Sequence, residues 1–435
     1  MNILFLTQVL PYPPDSGPKI KTWNVLRFLA QKHDITLVSF VRGDQQEDEA
    51  QLARYCRAVY TVPIERTILN DGRAVLYSLV SGIPWMMARD DRRAMRRLVE
   101  RVAADTAFDI VHADQLNMAQ YAARLNAPKV LDEHNALWLL YRRLASRIKP
   151  GVRRWMLERD WRLLKRYEGR IVREFDAVLA VSDEDRAALQ EATGVARPIT
   201  VIPIAIDTDQ VSVVERRAGA NHLLHMGTMY WPPNIDGVTW FIEEIYPLIR
   251  RHRPDVVLDV VGSRPPPHLV RLGEQDAGIC VPGYVADPTP YLEQAAAFLV
   301  PLRAGGGMRV KILNALAQGL PIVSTTLGAE GIAVTPGKNI LLADTPKEFA
   351  DAVLRLLHDP ALAGRLGAAG RRLAEEQYDY RVTCSPLEDV YVTLHGERGK
   401  TGRGVALAIA GSGYRGGRDV DCTCTCSNQS GGRRN

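Results

Sequence analysis

Short, nearly continuous runs of Val, Ile and Leu alternate along this chain with stretches of helical spacing. The runs at 2–7, 35–40, 58–62, 109–113, 129–132, 176–181 and 199–202 are of the kind buried on both faces of a parallel sheet. They predict one doubly wound domain over 1–206. A polar stretch at 207–221 carries no apolar period and reads as a linker. A second set of runs at 222–226, 256–261, 278–281, 297–301, 321–325 and 339–343 predicts a second domain over 222–377, closed by helical patterns at 347–357 and 361–378. The expected class is therefore α/β, with two Rossmann-like sheets facing across a cleft where the C-terminal ends of their strands meet.

The stretch 301–331, PLRAGGGMRVKILNALAQGLPIVSTTLGAEG, reads as a strand end, a glycine loop, a short helix and another strand. Gly305, Gly306 and Gly307 allow close backbone approach, and Arg309 and Lys311 fall where Val310, Ile312, Leu313 and Leu316 begin an apolar stripe. A helix N-terminus with two cations suits a diphosphate. Gly319 ends the helix. In the first domain, 11–17 is a loop followed by helical spacing at 19–32. The G-x-G-x-x-G turn of a dinucleotide site is absent, which argues against a nicotinamide enzyme. The Gly17 loop is either part of a ligand site or a plain strand-to-helix turn. His134, in DEHNA just after the run 129–132, projects into the cleft, or else caps the next helix together with Asp132. His112 and His225 also end strands, but no polar neighbours in sequence support them.

Charge and composition narrow the class. With 435 residues, 46% hydrophobic and 24% charged, the chain is an ordinary globular protein of two or three domains. No apolar run approaches the roughly 18 residues of a membrane span, and the N-terminus lacks a basic signal-peptide start, so a cytoplasmic protein is expected. The scattered Cys56, Cys280 and Cys384 form no disulfide framework. The net charge of +5 is unevenly spread. Residues 138–173 are strongly basic, and Trp138, Tyr141, Trp155, Trp161 and Tyr167 interleave with the cations. Such a segment either meets an anionic membrane surface at the inner face of the cell membrane or is a solvated helix pair whose aromatics pack inward. No nucleic-acid motif accompanies it. From 396 to 435 the composition turns to Gly, Arg, Ser, Thr and Cys, which predicts disorder. The CTCTC spacing there does not suit zinc.

The spacing G-x-R-x-K-I-L-x-A-x-A-x-G-x-P-I-V-S-T followed by G-A-E-G resembles the donor region of retaining glycosyltransferases of family 4, which have the GT-B fold. GTMYWPPNIDGVTWF at 227–241 and VLDEHNALW at 130–138 resemble sugar transferases of bacterial exopolysaccharide and PEP-CTERM loci. The likeness implies a hexosyl-type transferase (EC 2.4) that is metal-independent, takes a UDP- or GDP-linked sugar and serves a glycan or polyprenyl-linked acceptor. It implies that 378–395 is a terminal helix crossing back to the first domain. It also implies that His134 contacts the transferred sugar and that Gly17 lies near acceptor and donor phosphates. Gly227 and Thr228 would bring amides to the phosphate, and the loop with Gly283 and Val285 would read the base. Gly306, Gly307, Met308, Asn314 and Glu330 would line the donor, with Arg309 and Lys311 as the phosphate cations. Two features depart from the pattern. The WPPN turn replaces an Arg and Lys pair, and the two usual glutamates, eight positions apart, are Gly306 and Asn314 here. An Asn amide can still accept from and donate to a ribose. A nucleotide-sugar epimerase of the same fold, or a non-catalytic partner subunit, are the other readings.

Overall fold

The structure is a computed structural model that describes residues 1–43 and 45–396. Its strands, in chain order, are β1 (Asn2–Thr7), β2 (Asp34–Val41), β3 (Ala58–Pro63), β4 (Ile110–Asp114), β5 (Lys129–Asp132), β6 (Ala177–Ala180), β7 (Thr200–Val201), β8 (His222–Met226), β9 (Val257–Val261), β10 (Ile279–Gly283), β11 (Ala295–Val300), β12 (Ile322–Ser324) and β13 (Leu341–Leu342). They form a seven-stranded sheet ordered β3-β2-β1-β4-β5-β6-β7 and a six-stranded sheet ordered β10-β9-β8-β11-β12-β13. Every pairing is parallel, including β1 with β4 and β8 with β11, where the strand order reverses. Each apolar run expected from the sequence is a strand.

The reason is visible in β1. Ile3, Leu4, Phe5 and Leu6 are fully buried. Leu4 and Leu6 join one core, while Ile3 and Phe5 join the core on the opposite face. Alternation is lost from the sequence because both faces are covered by helices. Leu223 and Leu224 divide in the same way between the two cores of the second sheet.

Two chain crossings join the halves. Ile206 and Asp379 form an isolated parallel bridge, with Ile206 N donating to Tyr378 O at 2.8 Å and Tyr380 N to Ile206 O at 2.9 Å. Residues 385–396 are helical, and Leu387, Tyr391 and Leu394 pack in the core that holds Ile3 and Phe5. The polar stretch 207–221 lies along the second half, with Val214 N donating to Gln318 O at 2.9 Å. The tail expected to be disordered falls, beyond Gly396, outside the described residues.

The basic segment forms two helices, Leu137–Arg147 and Val152–Glu174. Trp138 is buried and Tyr141, Trp161 and Tyr167 pack against the first core, whereas Trp155 remains 59% exposed. Most of the aromatics therefore turn inward. One helix without a counterpart in the sequence reading, Ile68–Ser81, is capped by Thr67, whose side chain accepts from Asn70 N, and ends on a left-handed Gly82. It buries only Ala74 and Ser78.

Candidate active site

The helix Val310–Ala317 follows β11 and the glycine loop, and its first turn places Lys311 against the end of β8. Lys311 Nζ donates to Asn234 Oδ1 at 3.0 Å and lies 3.5 Å from His225 Nε2. Asn234, in the WPPN turn, also donates through Nδ2 to the carbonyl of Thr228 at 2.9 Å. His225 Nδ1 lies 3.0 Å from the carbonyl of Leu299. A carbonyl can only accept, so Nδ1 carries the hydrogen and Nε2 offers a lone pair to Lys311. Burial, and then the Lys311 charge, push His225 well below its usual value, so its ring is neutral. Burial, reinforced by the neighbouring Arg309, pushes Lys311 down to about 7. The ammonium thus has two neutral neighbours, and no ion pair to it is found among the described residues. A Cβ on Gly227 would fall 2.5 Å from Lys311 Nζ and 2.9 Å from Asn234 Nδ2, so any larger residue would displace both groups from their present places. Asn234 and His225 complete this cluster. The sequence left His225 without polar support and Asn234 unremarked, because they lie 86 and 77 positions from Lys311.

Arg309 behaves differently. Its guanidinium turns back on its own loop, where Nη1 donates to the carbonyls of Gly306 and Gly307. Nη2 is buried without a hydrogen-bond partner. Here Arg309 braces the loop rather than standing open in the cleft.

The loop also docks on the first domain. A Cβ on Gly307, whose φ is +70°, would lie 1.8 Å from Asn135 Oδ1, so any other residue would strain the backbone and displace the Asn135 side chain on which the loop seats. Gly306 rests on Leu140, and Gly17 abuts Val310. Met308 Sδ accepts from Ile204 N at 3.2 Å. Glu330 is paired with Arg143 through both oxygens, at 2.6 and 2.7 Å, and Arg143 also donates to the Gly305 carbonyl at 3.1 Å. The space left between Gly306, Gly307 and the first domain is only about 10 Å³, about the minimum for one water. Asn314 is half-buried one turn beyond Lys311. Gly283, in the left-handed region at φ +79°, ends β10, and Val285 is partly buried beside it.

On the facing side, the ends of β4 and β5 hold a buried polar cluster. Lys21 Nζ is ion-paired with Asp132, both fully buried. His134 Nε2 meets Asp114 Oδ1 at 2.9 Å, and Thr22 donates to Asp114 Oδ2 at 2.9 Å. His112 lies between Asp132 Oδ2 at 3.6 Å and the Tyr391 hydroxyl at 2.6 Å. Both histidines at strand ends that lacked support in the sequence thus have polar company. Capping of the next helix falls to neither His134 nor Asp132. Glu168 accepts from Leu137 N and Trp138 N at 2.7 and 2.8 Å, and Asp185 from Ala136 N at 2.8 Å. Those carboxylates hold the DEHNA loop, which leaves His134 against Asp114 with Nδ1 unpartnered. His112, Asp114 and Asp132 are close enough to share an ion, but Lys21 already supplies a positive charge there.

Comparison with known proteins bears on the family and the fold. The model of Glycosyltransferase Family 4 matches residues 21–210, and that of Glycosyl transferases group 1 matches 220–359. An uncharacterized 44.6 kDa protein from the cps region of Klebsiella pneumoniae is 20% identical over 89% of this chain and 98% of its own. A GDP-mannose-dependent phosphatidylinositol monomannoside mannosyltransferase of Mycolicibacterium smegmatis is 26% identical over 51% of this chain. That match covers 63% of the mannosyltransferase's own length. The crystal structure of Anabaena Alr3699/HepE in complex with UDP superposes with a TM-score of 0.63 at 15% identity, over 90% of this chain and all of that one. No helix among the described residues is long and apolar enough to cross a membrane.

Proposed function

The chain belongs to the family 4 glycosyltransferases of the GT-B fold, hexosyl-type enzymes (EC 2.4) that use nucleotide sugars, and we propose that it acts with retention on a lipid-linked or exopolysaccharide acceptor. The observation that carries this reading is Lys311, a cation at a strand end with neutral partners only. A departing nucleoside diphosphate gives it the anion it lacks. Preorganised charge at such a position is worth roughly 2.7–4 kcal/mol of barrier. Thr228 and the start of the Val310–Ala317 helix add backbone amides on the same side, whereas the Gly227 amide is already donated to the Val261 carbonyl at 3.0 Å, and no metal is required in this scheme. The likeness to a UDP-bound structure and to a GDP-mannose-dependent enzyme favours UDP or GDP as the carrier.

For retention we favour front-face attack. The acceptor oxygen bonds to the anomeric carbon on the face that the phosphate oxygen leaves, and that oxygen takes the acceptor proton. The arrangement of carboxylates supports this. Asp132 is bound to Lys21, Asp114 to Thr22 and His134, and Glu330 to Arg143. Glu133 is buried with its carboxyl pushed up by burial and by Glu168, so it is no nucleophile. His134 then meets the sugar through Nδ1. The Gly305–Gly307 loop, which leaves no room for a hexose beneath it, swings away as the donor enters. Purified protein incubated with UDP- and GDP-sugars, with and without lipid-linked glycan, should release nucleoside diphosphate in step with a glycosylated product. Release without acceptor would favour an epimerase or hydrolase, and no nucleotide binding would sink the donor site.

A further inference from the structure

A cavity of about 610 Å³ lies beside the cleft. Its walls come from the helices Ile68–Ser81, Leu137–Arg147 and Val152–Glu174 and from the WPPN turn, and include Val75, Leu79, Tyr141, Leu144, Trp155 and Pro233. Ala304, immediately before the glycine loop, and Trp231, just after Thr228, also line it, so it reaches the loops of the candidate active site. The helix Ile68–Ser81 beside it exposes Ile68 by 92%, Leu69 by 80%, Leu76 by 65% and Val80 by 83%. Isolated exposed apolar residues are ordinary, but a contiguous patch beside a groove marks a surface made for an apolar partner. Two exposed cations, Arg147 and Arg153, also line the cavity. Arg147 donates to the carbonyl of Arg303 at 2.6 Å, and neither cation has a carboxylate partner among the described ion pairs.

An apolar groove, unpaired cations lining it and an exposed apolar helix together fit one kind of occupant, an anionic amphiphile. We infer that the groove holds the hydrocarbon chain of a single-chain lipid phosphate that carries the acceptor, with Arg147 and Arg153 on the phosphate. The helix Ile68–Ser81 then rests in the membrane interface from which the lipid is drawn. This names the acceptor class for the glycosyltransferase reading above and rests on it. The volume lies within the roughly 300–1,000 Å³ of cavities that hold one small ligand. Two polar features point to a competing occupant. Asp160 Oδ2 and Trp85 Nε1 are buried without hydrogen-bond partners, and both residues line the cavity. A glycan would satisfy them.

The test is calorimetric titration of the full chain with decyl phosphate below its micelle concentration, beside inorganic phosphate, dioctanoyl phosphatidic acid and maltotriose. Decyl phosphate should bind, and the other three should bind at least tenfold more weakly. Leu79→Asp and Trp155→Glu, at exposed positions, should each weaken decyl phosphate binding at least tenfold, as should Arg147→Ala with Arg153→Ala. UDP or GDP binding should stay unchanged in every variant. Maltotriose binding as tightly as decyl phosphate would make the groove a glycan site, and phosphatidic acid binding as tightly would make it a two-chain site; either overturns the inference. A protein that binds nucleotide but not decyl phosphate refutes this inference alone, whereas one that binds neither refutes the donor reading with it.

Discussion

Lys21 and Lys311 stand near the starts of helices on opposite sides of the cleft, and their surroundings differ completely. Lys21 is fully buried and ion-paired with Asp132, which also lies near His112. Lys311 has an Asn oxygen and a neutral His ring instead. The first side is charge-balanced before any ligand arrives. It can present hydrogen-bonding groups such as His134 to sugar hydroxyls, but it has no cation to spare. The second side lacks an anion, which the diphosphate of the proposed donor would supply. The same residue type at the same kind of place is thus ion-paired in one domain and without an ion pair in the other, decided by whether a carboxylate is in reach.

The largest expected effect tests the structural half of that contrast. Removing one partner of a buried pair leaves an uncompensated charge and costs about 3–5 kcal/mol. Lys21→Met should therefore lower stability by about that amount in denaturant unfolding, while Lys311→Met, which breaks no ion pair, should leave the midpoint near that of the wild type. Equal losses would mean that the two sites do not differ in the way described. Next, Lys311→Ala should reduce turnover at least about a hundredfold with the fold intact, in line with roughly 2.7–4 kcal/mol of transition-state charge stabilisation. Unchanged turnover removes Lys311 from the reaction.

A finer test uses pH. With Lys311 lowered to about 7, the free site loses its proton as pH rises past that value. A bound diphosphate restores the proton, so UDP affinity should fall about tenfold per unit, or 1.4 kcal/mol, above pH 7 until the bound-state value is reached. Lys311→Met should flatten that slope. The smallest effect concerns Asn314. Asn314→Ala should weaken nucleotide binding by about 0.5–1.5 kcal/mol, one neutral hydrogen bond. Asn314→Glu should restore or tighten it, because an ionised acceptor holds two hydroxyls more strongly. If both variants bind as the wild type does, Asn314 does not touch the donor.

The fold was legible because its signals are local. An apolar run as short as 129–132 announces a strand covered on both faces, and Gly305 to Lys311 announces a loop and helix start from adjacent letters alone. Lys311, His134 and the glycines could be named as candidates for the same reason. Their partners were not. Asp132 lies 111 positions from Lys21, and Glu330 lies 187 from Arg143. Nothing along the chain says that Arg309 would fold onto its own loop or that Gly307 would seat against Asn135. The helix Ile68–Ser81 went unread because its apolar residues are interrupted by Asn70, Asp71, Gly72 and Arg73 and fall in adjacent pairs such as Leu76–Tyr77 and Leu79–Val80 rather than in one clear stripe, and only the tertiary structure shows those side chains left outside. Hydrophobic period and backbone chemistry are properties of neighbours in sequence, and they determined the strands, the two domains and the cationic glycine loop. Charge balance, exposure and cavity shape are properties of neighbours in space. Whether a cation is free for a ligand or already paired was therefore decided only when the two sheets brought their strand ends together.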